Sequence, residues 1–180
     1  THRSVVRLND LVVDSLRRAG SGPVPVHPLS CTLLRDGRID VMQIEPVIEM
    51  VNRGLVPVLH GDVAMDRSKG AGIVSGDQLV SHLARSLKPK IVALGTAVDG
   101  VIFRGEVLSV VRREDLFKIG SELGASAGVD VTGGMRGKLD ELLDLADQGV
   151  SSTIFNAEKA GMIERVLGGE RAGTLVEGKT

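Results

Sequence analysis

Continuous apolar runs that break abruptly into loops of Gly, Asp and small polar residues constrain this chain more than any other feature. Residues 55–59 run into His60, Gly61 and Asp62, and residues 91–94 run into Gly95, Thr96, Ala97, Val98, Asp99 and Gly100. Runs without polar alternation suit strands covered on both faces, as in parallel sheets. Between them lie stretches with helical periodicity. Val5, Leu8, Val12 and Leu16 line one face over residues 4–19, and Gly20 ends it. Residues 46–53 form a second helix stopped by Gly54, and Ser75 with Gln78 fits a capping box opening a third, whose buried face is Leu79, Val80, Leu83, Ala84 and Leu87. Further helices are expected over 114–123, after Met135 with Leu139, Leu142, Leu143 and Ala146 inward, and over 160–167. Asp36-Gly37 reads as a tight turn, 62–74 as a hairpin, 153–155 as a strand and 173–176 as a terminal edge strand. This alternation predicts an α/β fold with helices on both faces of an open sheet, without a linker or an internal repeat.

Composition removes several function classes. The chain has 180 residues, 42% hydrophobic and 25% charged, which is enough to bury a core and is neither disordered nor membrane-spanning in character. A net charge of −1, three Phe and no Tyr or Trp leave neither a phosphate-attracting field nor a stacking surface for nucleic acid. Cys31 is the single cysteine, so no internal disulfide forms, and a reducing cytoplasm is expected. His2, His27, His60 and His82 fall in unrelated segments, which argues against a metal site. No Walker phosphate loop is present. The start at Thr1 shows no signal-peptide pattern.

In open α/β folds ligands bind beyond the carboxyl ends of strands, so the loops after the apolar runs are the candidate sites. Gly133 and Gly134 precede a helix, where free N–H groups and the helix dipole favour an anion, and Lys138 follows in the first turns. A plain Gly-rich turn with a solvated Lys explains the same residues. Asp77 at the next helix start reads either as a favourable first-turn charge or as the partner of a catalytic Lys. Thr96, Asp99 and Gly100 suit a ribose or base edge, or a simple Asp-Gly turn.

Taken in order, His60-Gly61-Asp62, Ile73-Val74-Ser75-Gly76-Asp77, Gly95 to Gly100, and Asp130-Val131-Thr132-Gly133-Gly134-Met135 through Lys138 resemble the isopentenyl phosphate kinases of the amino acid kinase superfamily. The likeness runs from Thr1 to Gly173 and Thr174, and includes Phe155 and Asn156. It implies a three-layer αβα fold with an open, mainly parallel sheet. A single domain would span 1–180, with 1–75 on the acceptor side and 76–180 on the nucleotide side. It also implies transfer of the ATP γ-phosphoryl group to isopentenyl phosphate, with Mg²⁺, in a cytoplasmic homodimer that binds neither nucleic acid nor membrane. On that resemblance Lys138 would contact the ATP phosphates, and Asp77 would orient active-site lysines. Gly133, Gly134, Thr96, Asp99 and Gly100 would meet the nucleotide, and Ser75 and Gly76 the acceptor phosphate. Val63, Ile73 and Val5 would line a slot for the prenyl tail.

Two departures stand out. Ala97 occupies a position where the family usually has Asp, and the family's opening strand with its Lys-bearing and His-bearing Gly-rich loops is not found. An absent front end of roughly 60 to 80 residues is the expectation. Two other readings remain open: a kinase of the same superfamily for another small phosphate or phosphonate, and a non-catalytic nucleotide-binding or dimerising module.

Overall fold

The structure, a computed structural model, describes residues 1–123 and 134–178, with the backbone alone for 120–123. The chain divides into two compact units, Thr1–Leu83 and Ala84–Thr180.

The first unit opens with α1 (His2–Arg18), which ends where Gly20 takes a positive φ and Gly20 and Ser21 donate back to Arg17 and Leu16. Then come β1 (Pro23–Pro25), α2 (Pro28–Cys31), β2 (Thr32–Arg35), β3 (Arg38–Met42), α3 (Glu45–Asn52), β4 (Val56–Val58), β5 (Asp62–Asp66), β6 (Gly70–Val74) and α4 (Gly76–Leu87), whose last residues pass into the second unit. β1 and β4 pair in parallel as a two-stranded ribbon. The other four strands form a sheet in the order β3-β2-β5-β6, parallel between β2 and β5 and antiparallel at the hairpins. The β2–β3 hairpin turns at Asp36 and Gly37, both with positive φ, as the Asp-Gly pair predicted. Leu34, Met42, Ala64, Val74 and Leu79 make the core, with Cys31, Ile39, Ile44, Leu59 and Leu83 packed around it.

Two expectations fail in this unit. Leu8 and Val12 of α1 are 61% and 41% exposed, and the buried positions are Asn9 and Val13. The helix carries two apolar stripes, and the one turned inward contains Asn9, whose amide donates to the Val58 carbonyl at 3.0 Å. A polar residue in the packed stripe misleads any count of apolar spacing. The run at 55–59 is not covered on both faces either. Leu55 and Val56 are exposed, since β4 pairs with β1 alone among the described strands.

The second unit contains β7 (Ala93–Thr96), β8 (Ile102–Phe103), β9 (Glu106–Val107), β10 (Val110–Val111), a single 3₁₀ turn at Arg113–Asp115, α5 (Leu116–Leu123), α6 (Gly134–Ala146), β11 (Ser152–Asn156), α7 (Met162–Leu167) and β12 (Thr174–Val176). Its main sheet has the order β10-β12-β11-β7. β12 is therefore an interior strand and not the expected edge. It lies parallel to β10 and antiparallel to β11, and β11 lies parallel to β7. Leu139, Leu142, Leu143 and Ala146 of α6 are buried as the periodicity predicted, with Val101, Val111, Ile154 and Val176 among the other core residues. The architecture is mixed α/β with open, parallel-rich sheets.

Candidate functional site

In the first unit the loops at 60–62 and 75–77 lie against each other. A Cβ on Gly61 would stand 3.2 Å from the Gly76 nitrogen and 3.3 Å from the Val74 carbonyl oxygen, so only glycine allows this approach without displacement. Ser75 caps α4 by accepting from the Gln78 N–H at 3.2 Å. The reciprocal half of the expected capping box is absent: the Gln78 amide donates instead to the Gly37 carbonyl at 3.2 Å, tying α4 to the β2–β3 turn. Gly76 is exposed and Asp77, half-buried, stands in the first turn of α4. Val63 and Ile73 are cross-strand partners, Ile73 being 48% exposed. Val5 is half-buried on α1, which reaches β5. Asp62 and Val63 project to opposite faces of β5, so the bond from His2 to Asp62 anchors α1 without by itself placing Val5 beside the Val63–Ile73 pair.

The histidines overturn the expectation that they are unrelated. The parallel register pairs Pro25 with Val58, so His27 and His60, each two residues further on, emerge together. His27 Nδ1 lies 3.1 Å from His60 Nε2, and their rings meet edge-on. His2, whose ring is also edge-on to His27, binds both oxygens of the fully buried Asp62 carboxylate, at 2.9 and 3.0 Å. The clue in the sequence was one His two positions beyond each of two strands, legible only once their register is known. Among the described residues no group of His, Cys, Asp or Glu is arranged to hold a metal ion.

The second unit gathers its polar groups where β7 and β11 end side by side, with Asn156 opposite Thr96. Asp99 receives the Asn156 amide at 3.0 Å and the Lys159 ammonium at 2.6 Å on the same oxygen. Those two donors, Lys159 foremost, hold the Asp99 carboxyl below its ordinary range against a smaller opposing effect of burial. The Thr96 hydroxyl bonds the Val98 carbonyl at 2.8 Å and lies 3.2 Å from that of Phe155, fixing the loop to both strands. Gly100 is required by its surroundings: at φ 152° a Cβ would fall 2.5 Å from Thr174 Oγ1. Asp99, Val107, Phe155, Asn156, Lys159, Met162, Ala172 and Gly173 line a cleft of about 210 Å³. A neighbouring cleft of about 450 Å³ shares Ala172 and Gly173 and adds Arg171.

Thr96, Asp99 and Gly100 thus share one loop, and of the three Asp99 lines the cleft. Lys159, the cation on Asp99, escaped the sequence reading because nothing in a lysine after Asn156 signals a partner in another loop. Asn156 donates to the Ala97 carbonyl at a long 3.5 Å, a backbone contact at the position where the resemblance expects Asp. Gly134 opens α6 with a positive φ and Lys138 is half-buried four residues on; Gly133, with Asp130 to Thr132, lies outside the described residues.

The chain is similar to known proteins along nearly its whole length. The Amino acid kinase family profile covers residues 1–156. The isopentenyl phosphate kinase of Methanothermobacter thermautotrophicus is 39% identical over 99% of this chain and 70% of its own length. That of Methanocaldococcus jannaschii is 34% identical over 97% of this chain and 65% of its own. A solved isopentenyl phosphate kinase structure superposes with a TM-score of 0.80 at 35% identity, covering 94% of this chain and 65% of that one. The chain spans about two thirds of the length of these relatives. It belongs to the amino acid kinase family, and within it to the isopentenyl phosphate kinases.

Proposed function

We propose that this protein transfers the γ-phosphoryl group of ATP to isopentenyl phosphate, giving isopentenyl diphosphate and ADP. The observation that carries the reading is the 39% identity to an isopentenyl phosphate kinase along 99% of the chain, a span that takes in both units. The first unit takes the acceptor and the second the nucleotide. In the reaction the bond from the γ-phosphorus to the bridging β–γ oxygen breaks, and a bond forms to an oxygen of the acceptor phosphate. That oxygen is already anionic, so no side chain has to remove a proton from it. What the protein supplies is alignment of two anions and neutralisation of the charge they bring together.

Lys138 neutralises charge on the phosphoryl group in transit, beside the helix start at Gly134, which Gly133 precedes in sequence. The loop of Thr96, Asp99 and Gly100 holds the nucleoside at the cleft shared with Asn156 and Lys159. Ser75 and Gly76 seat the acceptor phosphate, and Asp77 positions cationic side chains around it. Val63 and Ile73, with Val5, contact the prenyl tail; each buried methylene contributes about 0.8 kcal/mol, so discrimination by tail length is modest. Mg²⁺ would come with the nucleotide phosphates, as that ion commonly does. The described side chains form no cage for it, and no step here is assigned to it. Assembly as a homodimer in the cytoplasm belongs to the same reading, and no described helix is long and apolar enough to cross a membrane.

The test is phosphoryl transfer from ATP to isopentenyl phosphate by the purified protein. Lys138→Ala should lower kcat by about 10²–10³ with the fold intact by circular dichroism. Ile73→Asp should abolish use of isopentenyl phosphate while ATP still binds. No transfer by the wild type sinks the reading, and an unaffected Ile73→Asp variant removes the prenyl assignment alone.

A further inference from the structure

A third cleft of the nucleotide-side unit lies at the opposite end of its strands. Arg85, Lys88, Lys90, Gln148 and Ser151 are among the residues lining an open cleft of about 660 Å³. Residues 88–90 precede β7 and 148–151 precede β11, and these strands are parallel neighbours. The cleft is therefore at their amino ends, whereas the 96–100 loop and Lys159 are at their carboxyl ends. Four residues of strand at about 3.3 Å each put roughly 13 Å between the two ends, so one small ligand does not reach both.

Its charge is one-sided. Several arginines elsewhere find carboxylates, although not all do: Arg53 pairs with Glu49, Arg67 with Asp40, Arg136 with Asp140 and Arg165 with Glu170. The acids nearest this cleft in sequence, Asp144 and Asp147, are both taken by Arg113. Arg85, Lys88 and Lys90 have no carboxylate partner among the described residues, and the Arg85 Nε–H is shut off from water with no acceptor. The carbonyl end of α4 accounts for cations at Arg85 and Lys88 through the helix dipole. It does not account for Lys90, which lies beyond the helix and adds a third cation to the same cleft.

We propose that this cleft binds a small, multiply charged anion, a metabolite bearing a phosphate or diphosphate group. Arg85, Lys88 and Lys90 supply charge-assisted hydrogen bonds, and the exposed Ser151 hydroxyl adds one more donor. Gln148 contributes less, because its amide already donates to the Asp144 carbonyl. The site is separate from the proposed catalytic one and stands whatever the acceptor of the kinase proves to be.

Inorganic pyrophosphate is the probe, titrated calorimetrically into the wild type and into the double variant Lys88→Gln, Lys90→Gln, each with the nucleotide site saturated by a non-hydrolysable ATP analogue. Both lysines are exposed, so the double variant should fold and turn over as the wild type does. The expected result is saturable binding that survives the analogue and weakens about tenfold or more in the double variant. Equal affinity in the variant, displacement by the analogue, or no binding at millimolar pyrophosphate overturns the proposal. Phosphatidylglycerol vesicles form the other arm. Cosedimentation that depends on the two lysines, with no binding of free pyrophosphate, would assign the cleft to a lipid headgroup and overturn the soluble ligand.

Discussion

Asp66 and Asp99 both hold their carboxyls below the ordinary range, and they do so by different means. Asp66 is 4% exposed and surrounded by backbone. Burial pushes its carboxyl up, and the N–H groups of Gly37 at 2.7 Å, Ser68 at 2.8 Å, Lys69 at 3.0 Å and Asp36 at 3.3 Å more than reverse that. Two hairpin turns of the first unit are knotted together on one carboxylate. Asp99 has a side chain 48% exposed at the mouth of a cleft, and its partners are the side chains of Lys159 and Asn156. Backbone donors held in turns have nowhere else to go, but an ammonium and an amide at a cleft exchange partners at small cost. The first carboxylate belongs to the fold and the second to the proposed nucleotide site.

That division is broken most directly at Asp66. Asp66→Ala leaves four turn N–H groups without their acceptor, and buried unanswered donors are expensive. It should give a larger fall in Tm, measured by thermal melting, than substitution at Gly100 or Asp99. The pH dependence follows the same lines. The folded carboxyl of Asp66 is depressed, so its stabilisation is complete above the unfolded carboxylate range and disappears as pH falls through the folded value. The wild type should lose stability on acidification below about pH 4, and Asp66→Asn, already weaker at neutral pH, should lose less over that interval. A parallel pair of acid-melting curves would remove the knot from the account.

Gly100→Ala should have the next largest effect, because it presses a Cβ on Thr174, whose hydroxyl bonds the Leu108 carbonyl at 2.6 Å and accepts from the Val101 N–H at 2.8 Å. A loss of about 1–3 kcal/mol is expected from denaturant unfolding, together with a raised KM for ATP. Loss of stability with an unchanged KM would detach the 96–100 loop from the nucleotide.

Much of this molecule is legible in sequence wherever the information is local. The presence of strands in the apolar runs, the Asp36-Gly37 turn, the Ser75 half of the α4 cap and the inward face of α6 each depend on residues within a turn or two of one another, whereas the cover expected on both faces of the runs is missing at Leu55, Val56 and Ile91. The failures share the opposite property. The meeting of His27 with His60 depends on the register of β1 against β4, and the pairing of Asp99 with Lys159 joins two loops through the adjacency of β7 and β11. The interior position of β12 depends on two pairings made at once, with β10 and β11. The face of α1 was misjudged because Asn9 satisfies its amide on a strand far along the chain. Strands of two residues, such as β8 and β9, carry too few side chains for any period to show.

The smallest expected effect separates the two carboxylates most finely. Asp99→Asn keeps the shape of the side chain, removes its charge and leaves Lys159 without its anion. Because Asp99 and Lys159 are each about half exposed, with side-chain values of 48% and 53%, water replaces most of what is lost, and Tm should stay close to the wild-type value. What changes is the edge of the cleft, where Lys159 is released while the carboxamide oxygen still accepts from the Asn156 amide. The KM for ATP should rise less than about tenfold, the scale of one charged hydrogen bond, with kcat nearly constant, since the proposed role of this loop is to hold the nucleoside and not the reacting phosphates. Lys159→Gln should raise it by a similar amount. If the two residues act only through each other, the double variant will be no worse than either single one. Additive losses would mean that each meets the nucleotide independently. A fall in Tm as large as that of Asp66→Ala would return Asp99 to the fold and end the distinction.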